Sequence, residues 1–208
     1  MSSLLRIDSS PRGEESHSRA LADAVQQSLV ANDPALDVQI RDLANDDLPA
    51  LSAKTITGFY TPKGELSADL QEATLLSDTL IQELKAVDTV LISAPMYNFG
   101  VPSSLKAWID QIVRVNETFS FDETGFCGLV TGKRVILALS YGAQGYGENE
   151  AFAAMNFFEP YLVSLLKFLG FEDVLVFRLE GTSMLEPDAL SQAKQAVLAE
   201  ISATLEAK

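Results

Sequence analysis

Short apolar runs of strand length alternate along the chain with stretches whose apolar positions recur at helical spacing. Residues 4–8, LLRID, form the first run. A small polar loop, SSPRGEESHS, separates it from Leu21, Val25, Ser28 and Leu29, which repeat at helical period. Residues 37–41, DVQIR, form the next strand candidate. An irregular segment follows from Asp42 to about Lys63, carrying Pro49, Gly58 and Pro62; a loop of that length in a compact domain either covers something or moves. Leu66, Leu70, Ala73, Leu76, Leu80, Ile81 and Leu84 then make one continuous apolar stripe, which predicts a helix of about twenty residues.

Residues 89–94, TVLISA, and 134–140, RVILALS, are almost wholly apolar, as strands covered on both faces of a parallel sheet are. Between them Pro102 suits the first turn of a helix whose buried face is Leu105, Trp108, Ile109 and Ile112. A further helix is expected over roughly 150–169, a last strand at 173–179, DVLVFRL, and a closing helix at 187–206. Five strands alternating with five helices require right-handed crossovers. The expected architecture is therefore a doubly wound α/β fold, a five-stranded parallel sheet in the order 2-1-3-4-5 with helices on both faces. In that order the ligand crevice lies beyond the carboxyl ends of strands one and three, extended by strand four.

At 208 residues with 47% hydrophobic content, the chain has the size and apolar mass of a single domain with one core. Its first residues, MSSLLRIDSSPRGEE, turn polar at once, and no run approaches the roughly 20 apolar residues that cross a bilayer. Neither a signal peptide nor a membrane span is expected. Cys127 is the only cysteine and His17 the only histidine, so an internal disulfide and a Cys/His zinc site are excluded, and a reducing cytoplasm is the expected location. A net charge of −14 with no basic run argues against nucleic-acid and membrane-surface partners.

Three segments occupy the expected crevice. The first, Ser9 to Ser18, sets hydroxyls and backbone N–H groups directly before a helix, where free amides and the positive end of the dipole favour a phosphate held by Ser16, His17 and Ser18. Neither GxxxxGK[ST] nor GxGxxG occurs, which points to a monophosphate without metal. The alternative is that Ser16 only caps the helix and His17 is a solvated loop residue. Arg12 and Arg19 read either as phosphate counter-charges or as ordinary surface cations. The second segment, Ala94 to Pro102, places a thioether, two aromatics and an amide after a buried strand, a composition suited to gripping a flat heterocycle with a polar edge. The third, Ser140 to Gly147, is glycine-rich, so its backbone can approach a ligand closely.

The runs LLRIDSSPRG, RDLA, LSDTLIQELKAVD, APMYNF, GLVTGK, PYL and FLG resemble the FMN-dependent NADH-azoreductases, also described as NADH:quinone oxidoreductases, of the flavodoxin-like fold. The resemblance implies FMN held through Ser10 and the Ser16-His17-Ser18 loop at its phosphate, with Met96, Tyr97, Asn98 and Phe99 around the isoalloxazine. Ser140, Tyr141, Gly142 and Ala143 correspond to the other flavin-binding strand end. That stretch often reads Ser-Arg-Gly-Gly in the family, so a role for an arginine side chain does not carry over to Tyr141. The segment QGYGENEAFAAMNFFEP after it looks longer than usual. The resemblance further implies a homodimer with the site near the interface. Phe119 of the Thr-Phe motif would then reach the partner's flavin, a core aromatic being the equal alternative. Tyr60 and Phe119 are the candidate substrate-pocket residues.

The implied reaction is hydride transfer from NADH, with NADPH left open, through the flavin to quinones or azo compounds by ping-pong turnover. It needs no metal and no dedicated catalytic side chain. Two other classes share this fold. A flavodoxin-type electron carrier would bind FMN but act with a protein partner, whereas a signalling receiver needs an acidic cluster that Asp8, followed by Ala94-Pro95 at the third strand, does not supply.

Overall fold

The computed structural model describes residues 2–123 and 125–206. Its elements in chain order are β1 (Ser3–Asp8), α1 (His17–Asn32), β2 (Asp37–Asp42), α2 (Ala53–Tyr60), α3 (Ala68–Ala86), β3 (Thr89–Pro95), α4 (Ser103–Ile112), β4 (Phe119–Asp122), β5 (Gly125–Gly128), β6 (Arg134–Ser140), α5 (Glu159–Leu169), β7 (Asp173–Leu179) and α6 (Pro187–Glu206). The main sheet is parallel with the order β2-β1-β3-β6-β7, the expected doubly wound arrangement.

The apolar runs sort by position in this sheet. β1, β3 and β6 are central and buried almost throughout, whereas β2 at one edge has no fully buried residue. One face is covered by α3, α4 and α5, through Leu80, Leu84, Leu105, Trp108, Ile112, Leu162 and Leu166. The other is covered by α1 and α6, through Leu21, Ala22, Val25, Ile201 and Leu205. Register aligns Asp8 with Asp42 and Ser93, and Pro95 with Ser140, so the ends of four strands form one ledge.

Three local expectations are corrected. The helix expected over roughly 150–169 begins only at Glu159, and a single 3₁₀ turn at Ala153–Met155 precedes it. Pro160 lacks an N–H and is tolerated only in a first turn, while Asn156 Oδ1 accepts the Phe158 and Glu159 amides at 3.3 Å and caps the start. The segment from Asp42 to Lys63 holds the short helix α2, whose N-cap Ser52 accepts from the Thr55 amide at 3.1 Å. Its Gly58 permits contact with α3, because a Cβ there would stand 2.5 Å from Thr74 Cγ2. Finally, β4 and β5 form an antiparallel hairpin that the apolar pattern does not announce, with Phe119 opposite Gly128.

No described helix is long and apolar enough to cross a membrane.

Candidate functional site

The ledge at the carboxyl ends of the strands carries a crevice of about 210 Å³, lined by Ser10, Arg12, Ser16 and His17 after β1 and by Pro95, Met96 and Tyr97 at and beyond the end of β3. Ser140 and Gly142 line it at and beyond the end of β6, and Thr182 and Ser183 after β7. The volume is below the roughly 300 Å³ at which typical small-molecule pockets begin. It would take a phosphate and a short polar chain, leaving any ring system to lie over the open end.

The floor is built first. Ser9 donates to the Ser93 carbonyl from its amide at 3.1 Å and from its hydroxyl at 2.8 Å, which stitches β1 to β3 at their ends. The loop then turns through Gly13, whose φ of 55° favours glycine, and Ser16 caps α1 by accepting the Arg19 amide at 3.3 Å. The His17 and Ser18 amides, in the first turn, find no acceptor among the described residues. Such amides at a helix start are a preformed anion site. The His17 imidazole is held below its ordinary 6.5 by partial burial and by the nearby charges of Lys194 and Arg12. In a protein of net charge −14 two cations thus stand near this helix start, Arg12 itself 3.5 Å from Glu15.

After β3, the Met96 amide donates to the Ser140 carbonyl at 2.8 Å, and Tyr97 and Gly100 exchange two backbone hydrogen bonds of 3.0 Å. This closes a two-residue turn with Asn98 at φ 49° and Phe99 at φ 67°. The amides of both turn residues find no acceptor among the described residues, and Tyr97, Asn98 and Phe99 are exposed. An apolar surface with free N–H groups beside it is therefore held in a strained, fixed shape. At the next strand end the Tyr141, Gly142 and Ala143 carbonyls accept the Thr182, Ser183 and Gly181 amides, so the segment after β7 completes the wall. A Cβ on Gly142 would come within 3.3 Å of Ser183 Oγ, and its absence leaves that wall room.

The crevice thus brings together Ser10, Ser16, His17, Met96, Tyr97, Ser140 and Gly142. Asn98 and Phe99 form the adjacent turn, and Ala143 follows beyond Gly142. Ser18 is fully buried, with its hydroxyl 3.1 Å from that of Ser16. The Tyr141 side chain is also fully buried, and its phenol donates to Glu159 Oε2 at 3.0 Å. Tyr60 lines a separate hollow of about 490 Å³ with Phe59, Lys63, Arg114 and Glu117. Phe119 stands in β4, with its ring 5.0 Å from Phe168 and 6.1 Å from Phe126. Arg19 is neither a surface cation nor free to meet a phosphate, because Asp42 and the Ser10 carbonyl hold its guanidinium. Thr182, Ser183 and Lys194 were not singled out from sequence. The small polar run EGTS directly after the last strand was the available signal for the first two. Among the described residues no cluster of His, Cys, Asp and Glu could hold a metal ion.

Residues 2–205 match the family described as having a flavodoxin-like fold. An FMN-dependent NADH:quinone oxidoreductase of Xanthobacter autotrophicus is 49% identical over 176 residues, covering 85% of each chain. One of Azospirillum brasilense is 43% identical over 96% of each chain. Among solved structures, an FMN-dependent NADH-azoreductase of Bacillus anthracis in complex with FMN superposes with a TM-score of 0.85 at 26% identity, over 99% of this chain and all of that one. The chain belongs to the FMN-dependent NADH:quinone oxidoreductase family, built on the flavodoxin-like fold.

Proposed function

We propose that the chain binds FMN at the ledge and uses it to reduce quinones or azo compounds with NADH. The observation that carries this reading is one juxtaposition: the free first-turn amides of α1 and the exposed Tyr97–Phe99 turn share one crevice edge. An anionic tail and a flat ring at the two ends of one ligand are what such an edge recognises.

Ser10, Ser16, His17 and Ser18 would hold the phosphate, Ser18 through its backbone amide because its hydroxyl is engaged with Ser16. Met96, Tyr97, Asn98 and Phe99 would bound the ring. Ser140, Tyr141, Gly142 and Ala143 would contribute through backbone groups, since the Tyr141 phenol is committed to Glu159. Bound there, FMN supplies hydride acceptance from NADH and two-electron delivery to the acceptor in ping-pong turnover. The residues of the chain hold and orient it.

A homodimer and a cytoplasmic location belong to the same proposal. Phe121 and Phe126 on the hairpin are 64% and 66% exposed, with rings 4.7 Å apart, an apolar surface of the kind that meets a partner subunit. In such a dimer Phe119 and Tyr60 would be walls for planar substrates. The lone cysteine suits a reducing compartment.

The test is the absorption spectrum of the protein mixed with FMN and freed of excess. A retained flavin band that bleaches on adding NADH under nitrogen and returns on adding benzoquinone, with no second protein present, is the expected result. Protein that retains no FMN overturns the reading.

A further inference from the structure

Arg19 does not line the crevice, yet it touches both ends of the loop that does. Its Nε and Nη2 donate to the Ser10 carbonyl at 3.1 and 2.7 Å, and its backbone amide donates to Ser16 Oγ at 3.3 Å. Nη1 and Nη2 also donate to Asp42 at 3.0 and 2.6 Å, and Nη1 lies 3.5 Å from Asp8. Asp8 cannot swing away, since Arg6 Nε grips both its oxygens at 3.1 Å and Ser93 Oγ donates to it at 2.7 Å. Arg6 is in turn fixed by Asp23 at 2.6 Å. The side chain thus ties the start of the loop to the ends of β1 and β2, while the backbone amide of the same residue holds the finish as the N-cap bond of α1. With two carboxylates and a carbonyl around it, the guanidinium has its charge answered inside the protein and little left for a ligand.

We infer that Arg19 is a positioning residue for the phosphate group: the planar fork of this α1 side chain holds the Ser10 end of the loop against the first turn of α1, so that both face a phosphomonoester. The inference rests on the flavin reading above and adds a residue that lies outside the crevice. A fork differs from a point charge in a way that can be measured. Lysine keeps the charge but cannot reach a carbonyl and a carboxylate in one plane.

The experiment compares FMN with riboflavin, which lacks the phosphate, by fluorescence titration of the wild-type protein and of Arg19→Lys and Arg19→Met. The expected result is that both variants lose FMN affinity by roughly tenfold or more, the order expected for charge-assisted hydrogen bonds, while riboflavin affinity stays at the wild-type value. An Arg19→Lys protein that keeps the wild-type preference for FMN overturns the inference, because charge then suffices. Equal losses for FMN and riboflavin also overturn it, because the residue then supports only the fold. Should either variant fail to fold, Asp42→Asn removes the charged partner at the far side of the fork. It is expected to lower FMN preference in the same direction, and an unchanged preference overturns the inference. A wild-type protein that binds neither flavin is a different result, which defeats the flavin reading itself.

Discussion

Tyr97 and Gly100 face each other across a two-residue turn, each amide donating to the other's carbonyl at 3.0 Å, and this pairing forces Asn98 and Phe99 into the left-handed region. An L-residue there costs roughly 1–2 kcal/mol, which a bulky aromatic on an exposed turn does not recover by burial. Phe99→Gly is therefore expected to raise stability by about 1 kcal/mol in urea unfolding and to weaken flavin binding by removing the ring. A loss of stability would show that the phenyl group holds the loop together.

Tyr141 is expected to make a stabilising contact at a distance from the ligand. Its phenol donates to Glu159 Oε2, and Arg178 lies 3.4 Å from the same oxygen. Tyr141→Phe should cost about 1.5 kcal/mol of stability, as for a hydrogen bond to a charged group, with flavin affinity little changed. Burial, and then the charge of Glu159, raise the phenol above its ordinary 10.0. The unfolded chain therefore ionises first, so stability is full below pH 10 and falls as pH rises beyond it. Alkaline unfolding followed in both proteins checks the sign, with the phenylalanine variant losing this part of the pH dependence.

His17, the single histidine, gives one imidazole signal to follow by NMR. Without ligand it should titrate below 6.5, as burial and the charges of Lys194 and Arg12 require. A phosphate dianion favours the charged ring, so FMN should raise the value and riboflavin should not. Binding that raises a pKa takes up protons, and this component of affinity therefore strengthens as pH falls through the raised value of the complex and is fully present below the free-protein value. An imidazole indifferent to FMN would remove His17 from the phosphate site.

Gly128 carries the contact between the hairpin and α5. A Cβ built there would stand 2.3 Å from the Gly170 nitrogen and 2.4 Å from the Leu169 carbonyl carbon, both backbone atoms that cannot turn aside. Gly128→Ala is expected to cost roughly 1–3 kcal/mol in denaturant unfolding. Wild-type stability would mean that the hairpin does not rest on α5.

Much of this was legible in the chain. The buried runs at β1, β3 and β6 read as strands because each is apolar on both faces, and α3 read as a helix because its stripe runs through the element. The hairpin was not legible. Its strands are four residues each, so the alternation of β4, FSFD, is too short to stand out, and β5, GFCG, has a glycine at either end. The helix α2 was hidden by Gly58, which reads as a turn until the close approach of α3 explains it.

By itself the sequence determined the order of the elements, and through it the crevice edge, because crossover handedness and strand order follow from local periodicity and chain connectivity. Only the tertiary structure decided which residues at that edge face inward. Tyr141 and Ser18 stand in the chain beside crevice residues, yet the phenol turns to Glu159 and the hydroxyl is buried against that of Ser16. Arg19 reads as a surface cation until Ser10, Asp8 and Asp42 are brought around it. The reason is physical: periodicity is a property of neighbours along the chain, whereas a side chain's direction and partners are set by groups that arrive from other strands.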